Sequence, residues 1–350
     1  MNRRATDISM RFSQLGMTLI ELMVALAISL FLLMGVIQIF IGNKLTYRVQ
    51  ENLSRMQEDG RNAVELLNRE IRMANYRGCA GPKAHVKQNL LKSSSGFSWN
   101  LLSDSPVQGF NSTGSSSWSP SLDSSLTGVA PGTDVLAVRG PDTMNSGFVI
   151  SQANSAADLV VNNVNGNLNL NPNDIVMVSD CSNVVVFQVT NSASVSGNPV
   201  TIQHGTTGNN PGNSTANLGK VFAGAQLTKV STKSYYIGTG SSGQPALFRR
   251  TPDGAQELVE GVENIQILYG VDGDSNGTID SYVDGISDTS VWPSVRSIQI
   301  RLLMRSLDDN LTPQPVAIAF NGSTVNGSGT VDRRLRQVFT TTIGLRNQLF

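Results

Sequence analysis

The sequence predicts an α+β protein: a long N-terminal α-helix, half membrane-spanning and half amphipathic, packed on a β-rich, mainly antiparallel globular domain. Three observations predict this class. Residues 17–41 form an apolar run with a single charge, and residues 42–76 place apolar side chains three and four positions apart. The rest of the chain has short alternating runs between clusters of Gly, Ser and Asn, which is typical of strands joined by turns.

The first 16 residues are a basic leader. They contain Arg3, Arg4 and Arg11, with Asp7 as the only acid. A basic segment that precedes an apolar helix stays in the cytoplasm. The domain that follows the helix is therefore expected on the outer side of the membrane.

Residues 17–41 are long enough to span a bilayer, which takes about 20 apolar residues. Glu21 is the only formal charge among them. A carboxylate in a membrane helix is costly and usually paired, so Glu21 is a candidate functional residue. A cleaved secretory signal has a shorter apolar region and a small-residue cleavage site, which this segment lacks. A plain signal anchor fits the length but gives no reason for Glu21.

Residues 42–76 continue the helix as an amphipathic segment. Apolar positions recur every three or four residues from Leu45 to Ala74, with charged residues between them. No proline interrupts the segment, and Gly78 is expected to end it. A helix from Met17 to Tyr76 is about 90 Å long, so only its second half is expected to pack on the sheet.

Residues 77–350 are expected to form the β-rich domain. Two Ser- and Asn-rich stretches, 93–132 and 191–219, are predicted as long surface loops. The glycine pattern of 238–243 matches a dinucleotide-binding fingerprint, but a strand follows it instead of a helix, so a hairpin loop is predicted. The predicted strands are 134–139, 174–178, 184–190, 233–237, 246–250, 256–269, 295–305, 316–320 and 337–345.

The composition argues against several functional classes. A formal net charge of +0 and a charged fraction of 15% give no electrostatic basis for binding nucleic acid directly. Two cysteines and two histidines are too few for a zinc or iron–sulfur centre, and His85 and His204 are expected to be exposed. The chain has no Gly-x-Ser-x-Gly or His-Glu-x-x-His motif. The sequence thus predicts a protein that is not an enzyme and requires no cofactor.

Cys79 and Cys181 are predicted to form one disulfide. Outside the cytoplasm paired thiols oxidise, and this bond would close a loop of about 100 residues. A reactive thiol is the alternative, but neither cysteine lies in a Cys-x-x-Cys motif or beside a basic cluster.

The acidic stretch 272–280 is a candidate calcium loop. Asp272, Asp274, Asn276 and Asp280 place oxygen ligands at positions one, three, five and nine of such a loop. Thr278 would contribute its backbone carbonyl.

A metal-free turn is the competing interpretation of this stretch. Position twelve is Val283 in place of the usual bidentate Glu, although Asp284 follows it. Residues 265–271 indicate a strand instead of the helix that would flank an EF-hand loop. Because Asp, Gly and Asn also form turns without metal, both Ca²⁺ binding and a plain turn stay open.

Residues 15–25, Leu-Gly-Met-Thr-Leu-Ile-Glu-Leu-Met-Val-Ala, resemble the class III prepilin signal of the type IV pilin superfamily. The resemblance implies that a prepilin peptidase cuts between Gly16 and Met17 and N-methylates Met17. It also implies that Glu21 pairs with the amino terminus of a neighbouring subunit. Met17 stands where Phe is usual, and the Pro that many major pilins carry in this helix is absent.

Within that superfamily the chain resembles minor pilins of the PilW kind, through residues 76–81, 178–182 and 336–347. The resemblance implies a pilin-like fold and a single-pass protein of the bacterial inner membrane with a periplasmic domain. It implies a part in type IV pilus assembly, in support of twitching motility, adhesion or DNA uptake. The implied partners are other minor pilins, the major pilin, the prepilin peptidase and the inner-membrane assembly platform.

Two other functions fit part of the sequence. A large minor pseudopilin of a type II secretion system shares the signal, the helix and the acidic loop. A membrane-anchored periplasmic enzyme or binding domain would need a polar pocket with perturbed titratable groups, and no motif indicates one.

Overall fold

A computed structural model describes residues 16–80, 86–92, 106–114, 116–163, 166, 168–192, 197–207, 211–326 and 331–348. Within these residues the chain forms one long α-helix, 17 strands and two 3₁₀ helices. It divides into two units, the first ending at Glu51 and the second beginning at Asn52. The predicted α+β class is confirmed.

The helix α1 spans Leu19–Arg72. It ends earlier than predicted because the chain turns through residues 73–75, where Asn75 adopts a left-handed φ of 59°. Its buried residues lie three and four positions apart, as expected for one apolar stripe. They are Met56, Gly60, Ala63, Leu67 and Ile71.

The larger sheet has eleven strands, and β1 and β7 form a parallel pair in it. Its strands are β1 (Val86–Asn89), β2 (Val107–Gly114), β3 (Ser117–Ser119), β4 (Val135–Ser151), β5 (Leu159–Asn162), β6 (Ile175–Ser179), β7 (Asn183–Gln188), β8 (Val200–Ile202), β9 (Gln226–Thr239), β10 (Pro245–Thr251) and β11 (Gly254–Glu260). The main path runs β1-β7-β6-β9-β4-β2-β3. Strands β10 and β11 join it through β9, and β5 and β8 join it through β4.

The smaller sheet is antiparallel and has four strands. The remaining strands are β12 (Val262–Val271), β13 (Ser281–Val283), β14 (Val295–Arg305), β15 (Ile318–Phe320), β16 (Ser323–Val325) and β17 (Arg336–Gly344). Their order in the smaller sheet is β13-β12-β14-β17, while β15 and β16 form a separate hairpin. The 3₁₀ helices are Thr289–Ser294 and Arg346–Gln348.

A core cluster joins the second half of α1 to the smaller sheet. Leu67 and Ile71 are fully buried in it together with Ile300. A Cβ atom added at Gly60 would lie 2.5 Å from the Phe339 ring of β17, so glycine lets the helix approach the sheet closely there. This packing agrees with the prediction that the second half of the helix packs on a sheet.

The single strand predicted over residues 256–269 is wrong, because the structure has β11 and β12 there. The break is Gly261, whose φ is +80°. A Cβ atom at this position would lie 2.9 Å from the carbonyl oxygen of Arg305. Only glycine fits both the left-handed backbone and the close approach of β14.

The Ser- and Asn-rich stretches are not entirely loops, which corrects a second prediction. The described part of the first contains β2 and β3, and the second contains β8. Their sequences lack a long apolar alternation, and pairing places them: β2 pairs with β4, β3 with β2, and β8 with β5. His204 is also buried, with 1% exposure and its Nε2 at 3.0 Å from the carbonyl oxygen of Ala157. His85 lies outside the described residues.

Candidate functional site

The start of α1 carries the predicted processing and assembly residues. Gly16 and Met17 precede the helix and are exposed. Thr18 is the cap residue: its Oγ1 accepts a hydrogen bond from the amide of Glu21 at 3.3 Å. Oε2 of Glu21 in turn accepts from the amide and the hydroxyl of Thr18, at 3.0 and 2.9 Å. The pair forms a reciprocal capping box that fixes the first turn of the helix.

The apolar segment of α1 is exposed in the isolated chain. Among the described residues, α1 is the one helix long and apolar enough to cross a membrane. An exposed apolar surface of this extent indicates that lipid or other helices cover it. The exposed large side chains are Met17, Leu19, Ile20, Leu22, Met23, Val24, Leu26, Ile28, Leu30, Phe31, Leu32, Leu33, Met34, Val36, Ile37, Ile39, Phe40 and Ile41. This segment fits membrane anchoring.

The predicted disulfide between Cys79 and Cys181 is present. The two cysteines are 102 positions apart in the sequence, and their Cα atoms are 4.7 Å apart. Cys181 lies in the turn between β6 and β7. Beside the bond, the Ser179 hydroxyl donates to the carbonyl oxygen of Arg77 at 2.6 Å. The bond therefore ties the segment that follows α1 to the larger sheet.

The predicted acidic loop joins β12 to β13. Carboxylate oxygens of Asp272, Asp274 and Asp280 lie within 4.8 Å of one another. The amide of Asp280 donates to the carbonyl oxygen of Val271 at 2.9 Å, and the amide of Asp272 donates to that of Ser294 at 2.9 Å. These two backbone bonds close the loop and anchor its first residue against the chain before β14.

Asp272 is the buried member of this cluster, with a fully buried side chain. Its Oδ2 accepts from Nε of Arg296 at 3.0 Å and from the amide of Gly277 at 3.1 Å. Its Oδ1 is also buried and has no hydrogen-bond partner among the residues that the structure describes. Burial opposes ionisation, yet the bonds from Arg296 and Gly277 hold the pKa of Asp272 below its ordinary value. Asp272 is therefore a buried carboxylate that pairs with Arg296 through one oxygen and leaves the other oxygen without a partner among the described residues.

Asn276 and Thr278 bond within the loop. Nδ2 of Asn276 donates to Oδ2 of Asp274 at 2.8 Å, and the amide of Thr278 donates to Oδ1 of Asn276 at 2.8 Å. Asp284, the expected substitute at position twelve, is not among the clustered carboxylates of the described residues. Its carbonyl oxygen instead accepts from Nδ2 of Asn111 in β2 at 3.3 Å.

The glycine pattern at 238–243 is the predicted hairpin loop between β9 and β10. The amide of Gly240 donates to the carbonyl oxygen of Gln244 at 2.7 Å. The amide of Ser241 donates to a carboxylate oxygen of Glu257 at 2.9 Å. Because this amide already donates to the negatively charged Glu257, it is not free to bind a phosphate group, and the carboxylate would repel one.

A cavity of about 480 Å³ lies beside β9 and β10. Its Lys229 is 2.9 Å from Asp174, and its Lys233 is 2.7 Å from Glu70. Both lysines are therefore engaged in ion pairs of the domain. This cavity adds no support to the enzyme alternative.

The sequence interpretation did not include Thr18 and Arg296. The Thr-x-x-Glu spacing from Thr18 to Glu21 is a capping-box signal and could have been found. Arg296 lies 24 positions after Asp272 and reaches it only because β14 returns antiparallel beside β12. No local pattern in the sequence indicates that contact.

Two known families match parts of the chain. Residues 11–37 match the prokaryotic N-terminal methylation motif, and residues 234–347 match type IV pilus-assembly protein W. No curated protein and no solved structure matches the chain. The first match includes Gly16, Met17 and Glu21, and the second includes the acidic loop and β17. Together they confirm the predicted resemblance and support a PilW-type minor pilin of the type IV pilus.

Proposed function

We propose that this chain acts in type IV pilus assembly, in a priming or tip complex with other minor pilins. The observation that carries this proposal is the start of α1, where a helix with exposed apolar side chains has Glu21 as its only acid up to Ile41. In the membrane, lipid covers these side chains. In the pilus, the helices of neighbouring subunits cover them.

Glu21 has a second use besides capping. Both hydrogen bonds that its carboxylate accepts from Thr18 go to Oε2. A carboxylate has about four lone-pair sites, so Oε1 is able to accept from the amino terminus of Met17 in a neighbouring subunit. An unpaired charge among apolar helices is costly, and pairing with an opposite charge offsets that cost. Glu21 therefore favours entry of a subunit whose amino terminus reaches it.

The remaining parts have distinct roles in this proposal. The chain lies in the bacterial inner membrane with its β-rich domain in the periplasm, an orientation that a basic leader before an apolar helix favours. The prepilin peptidase cuts between Gly16 and Met17, and the assembly platform draws the mature chain into the pilus. The β-rich domain supplies lateral contacts to other minor pilins and to the major pilin. The protein has no catalytic role, and twitching motility, adhesion or DNA uptake depends on it indirectly.

Glu21→Gln is the sharpest test because Gln removes the charge but keeps an oxygen that accepts from Thr18. We expect the variant to be exported and cleaved, yet to give few surface pili when it is the only copy in the cell. Glu51→Gln is the matched control, since Glu51 is an exposed acid of the same helix beyond the apolar segment. It should assemble normally.

Piliation is measured by electron microscopy and twitching by colony expansion. Normal piliation by Glu21→Gln without a wild-type copy would contradict the pairing role. A deletion strain that loses protein secretion but keeps twitching would assign the chain to a type II secretion system instead.

A further inference from the structure

We propose that the loop from Asp272 to Asp280 binds one calcium ion and thereby holds the β12–β13 edge of the smaller sheet. This inference does not rest on the pilus role. It starts from the spacing of the oxygens and is carried by two structural observations: the cluster of three carboxylates, and the burial of Asp272 with one oxygen that lacks a hydrogen-bond partner among the described residues.

The cluster places like charges together. One carboxylate oxygen each of Asp272, Asp274 and Asp280 lies within 4.8 Å of the other two. The loop that carries them is closed by a hydrogen bond from the amide of Asp280 to the carbonyl oxygen of Val271. Three carboxylates at this separation repel one another unless a cation lies among them. With the guanidinium of Arg296 beside Asp272, the net charge of the group is minus two, which one divalent cation neutralises.

Asp272 supplies the independent observation. Its side chain is fully buried, and within the described part of the chain its Oδ1 has no hydrogen-bond partner, although Arg296 and Gly277 satisfy its Oδ2. Leaving a buried carboxylate oxygen without a partner costs free energy, and a bound ion is one of the ordinary reasons for finding one. A cation in the cluster gives this oxygen the ligand it lacks.

The donor set favours calcium over magnesium. Calcium takes six to eight oxygens in a flexible geometry, from carboxylates, side-chain amides, backbone carbonyls and water. The loop offers three carboxylates, the amide oxygen of Asn276 after rotation of its side chain, and the carbonyl of Thr278. Magnesium requires a near-ideal octahedron, which an exposed irregular loop provides poorly.

The position of the loop gives the ion a structural effect. Strand β13 has three residues and pairs with β12 at one end of the smaller sheet. The residue after β13, Asp284, bonds through its carbonyl oxygen to Asn111 of β2 in the larger sheet. An ion that fixes residues 272–280 therefore also fixes the edge strand and its link to the other sheet.

The test uses the full-length chain in detergent micelles, stripped of metal with a chelator and then titrated with CaCl₂ alone. We expect a dissociation constant of about 0.1 to 1 mM, the range of extracellular calcium modules. Saturating calcium should raise the unfolding temperature. In hydrogen exchange followed by mass spectrometry, calcium should slow exchange in peptides that cover 272–283.

Asp274→Asn and Asp280→Asn each remove an exposed charge and should abolish the calcium-dependent rise. Asp253→Asn is the matched control, because Asp253 is exposed in the turn between β10 and β11. It should respond as the wild type does. Asp272→Asn is a poorer choice since it also removes the negative charge that pairs with Arg296, and so changes the fold without metal.

Three results would overturn the proposal. They are equal unfolding temperatures in calcium and in chelator, an equal rise with MgCl₂, and a full calcium response in Asp280→Asn.

Discussion

Asp134 shows how one carboxylate joins the two sheets. It lies directly before β4, and its Oδ1 accepts from the amide of Ser112 in β2 at 3.0 Å. Its Oδ2 accepts from the amide of Ile267 in β12 at 2.9 Å. Burial raises the pKa of Asp134 to about 6, and the charge of Asp284 adds to the rise. The two hydrogen bonds from the amides lower the pKa but do not offset the effect of burial.

This raised pKa predicts a pH dependence of stability. The folded protein holds the proton of Asp134 more tightly than the unfolded chain does, so ionisation favours unfolding. The contribution of Asp134 to the free energy of unfolding is fully present below about pH 4, and it is lost as the pH rises through about 6. A shift of this size corresponds to about 2 to 3 kcal/mol.

Asp134→Asn should remove this contribution from the curve of stability against pH. The measurement is the unfolding free energy of the full-length chain between pH 4 and pH 7, compared with that of the wild type. The difference between the two curves isolates Asp134 from acids whose pKa values are lowered. Asp253→Asn, at an exposed turn, should leave the curve unchanged, and parallel curves for Asp134→Asn and wild type would refute the prediction.

At the scale of elements, the sequence predicts those strands in which apolar and polar residues alternate. The sequence predicts strand β14 with its observed bounds, because Ile298, Ile300 and Leu302 alternate with Gln299 and Arg301. The sequence does not predict strand β2, because residues from Val107 to Gly114 are mostly polar and only their pairing with β4 makes them a strand. Short strands of this kind depend on distant partners that local pattern does not reveal.

The acidic loop likewise has some features that local sequence predicts and others that depend on distant strands. Spacing along one loop was sufficient to find Asp272, Asp274 and Asp280, since residues close in sequence stay close in a tight turn. The contact of Asp272 with Arg296 and the burial of the Asp272 side chain depend on the register of β12 against β14. Those features decide whether the loop suits a cation, and only the folded chain contains them.

The disulfide links two elements, and its loss should destabilise the second unit. It closes a loop of 102 positions between the segment after α1 and the β6–β7 turn. The double variant Cys79→Ser/Cys181→Ser should lose up to about 4.7 kcal/mol of unfolding free energy, the chain-entropy value for a loop of this length. Urea unfolding followed by fluorescence of the buried Trp292 measures the loss.

Reductant provides the control for this prediction. It should lower the stability of the wild type toward that of the double variant and leave the double variant unchanged. Equal stability of the oxidised wild type and the double variant would refute a stabilising role for the bond.

At the scale of the whole molecule, the two units differ in where their apolar side chains lie. In the first unit, the large apolar side chains from Leu19 to Ile41 are exposed. In the second unit, apolar residues are gathered in buried clusters around both sheets. The second unit therefore has its own hydrophobic interior, whereas the first depends on lipid or on neighbouring helices for its burial.

The last prediction concerns the form in which the whole chain leaves the membrane. Because residues 11–37 match the N-terminal methylation motif, the mature chain should begin at Met17 and carry one methyl group on its amino terminus. Intact-mass spectrometry of the protein purified from its native membrane measures both features. Gly16→Arg should retain the leader, since the residue before the cut is changed, whereas Gly42→Ala in the same helix should be cleaved as the wild type is. A native chain that keeps its leader, or one cut after residue 40, would show that the helix is an ordinary anchor or a secretory signal. Glu21 would then have no amino terminus of Met17 to pair with, and its capping bond to Thr18 would be its whole role.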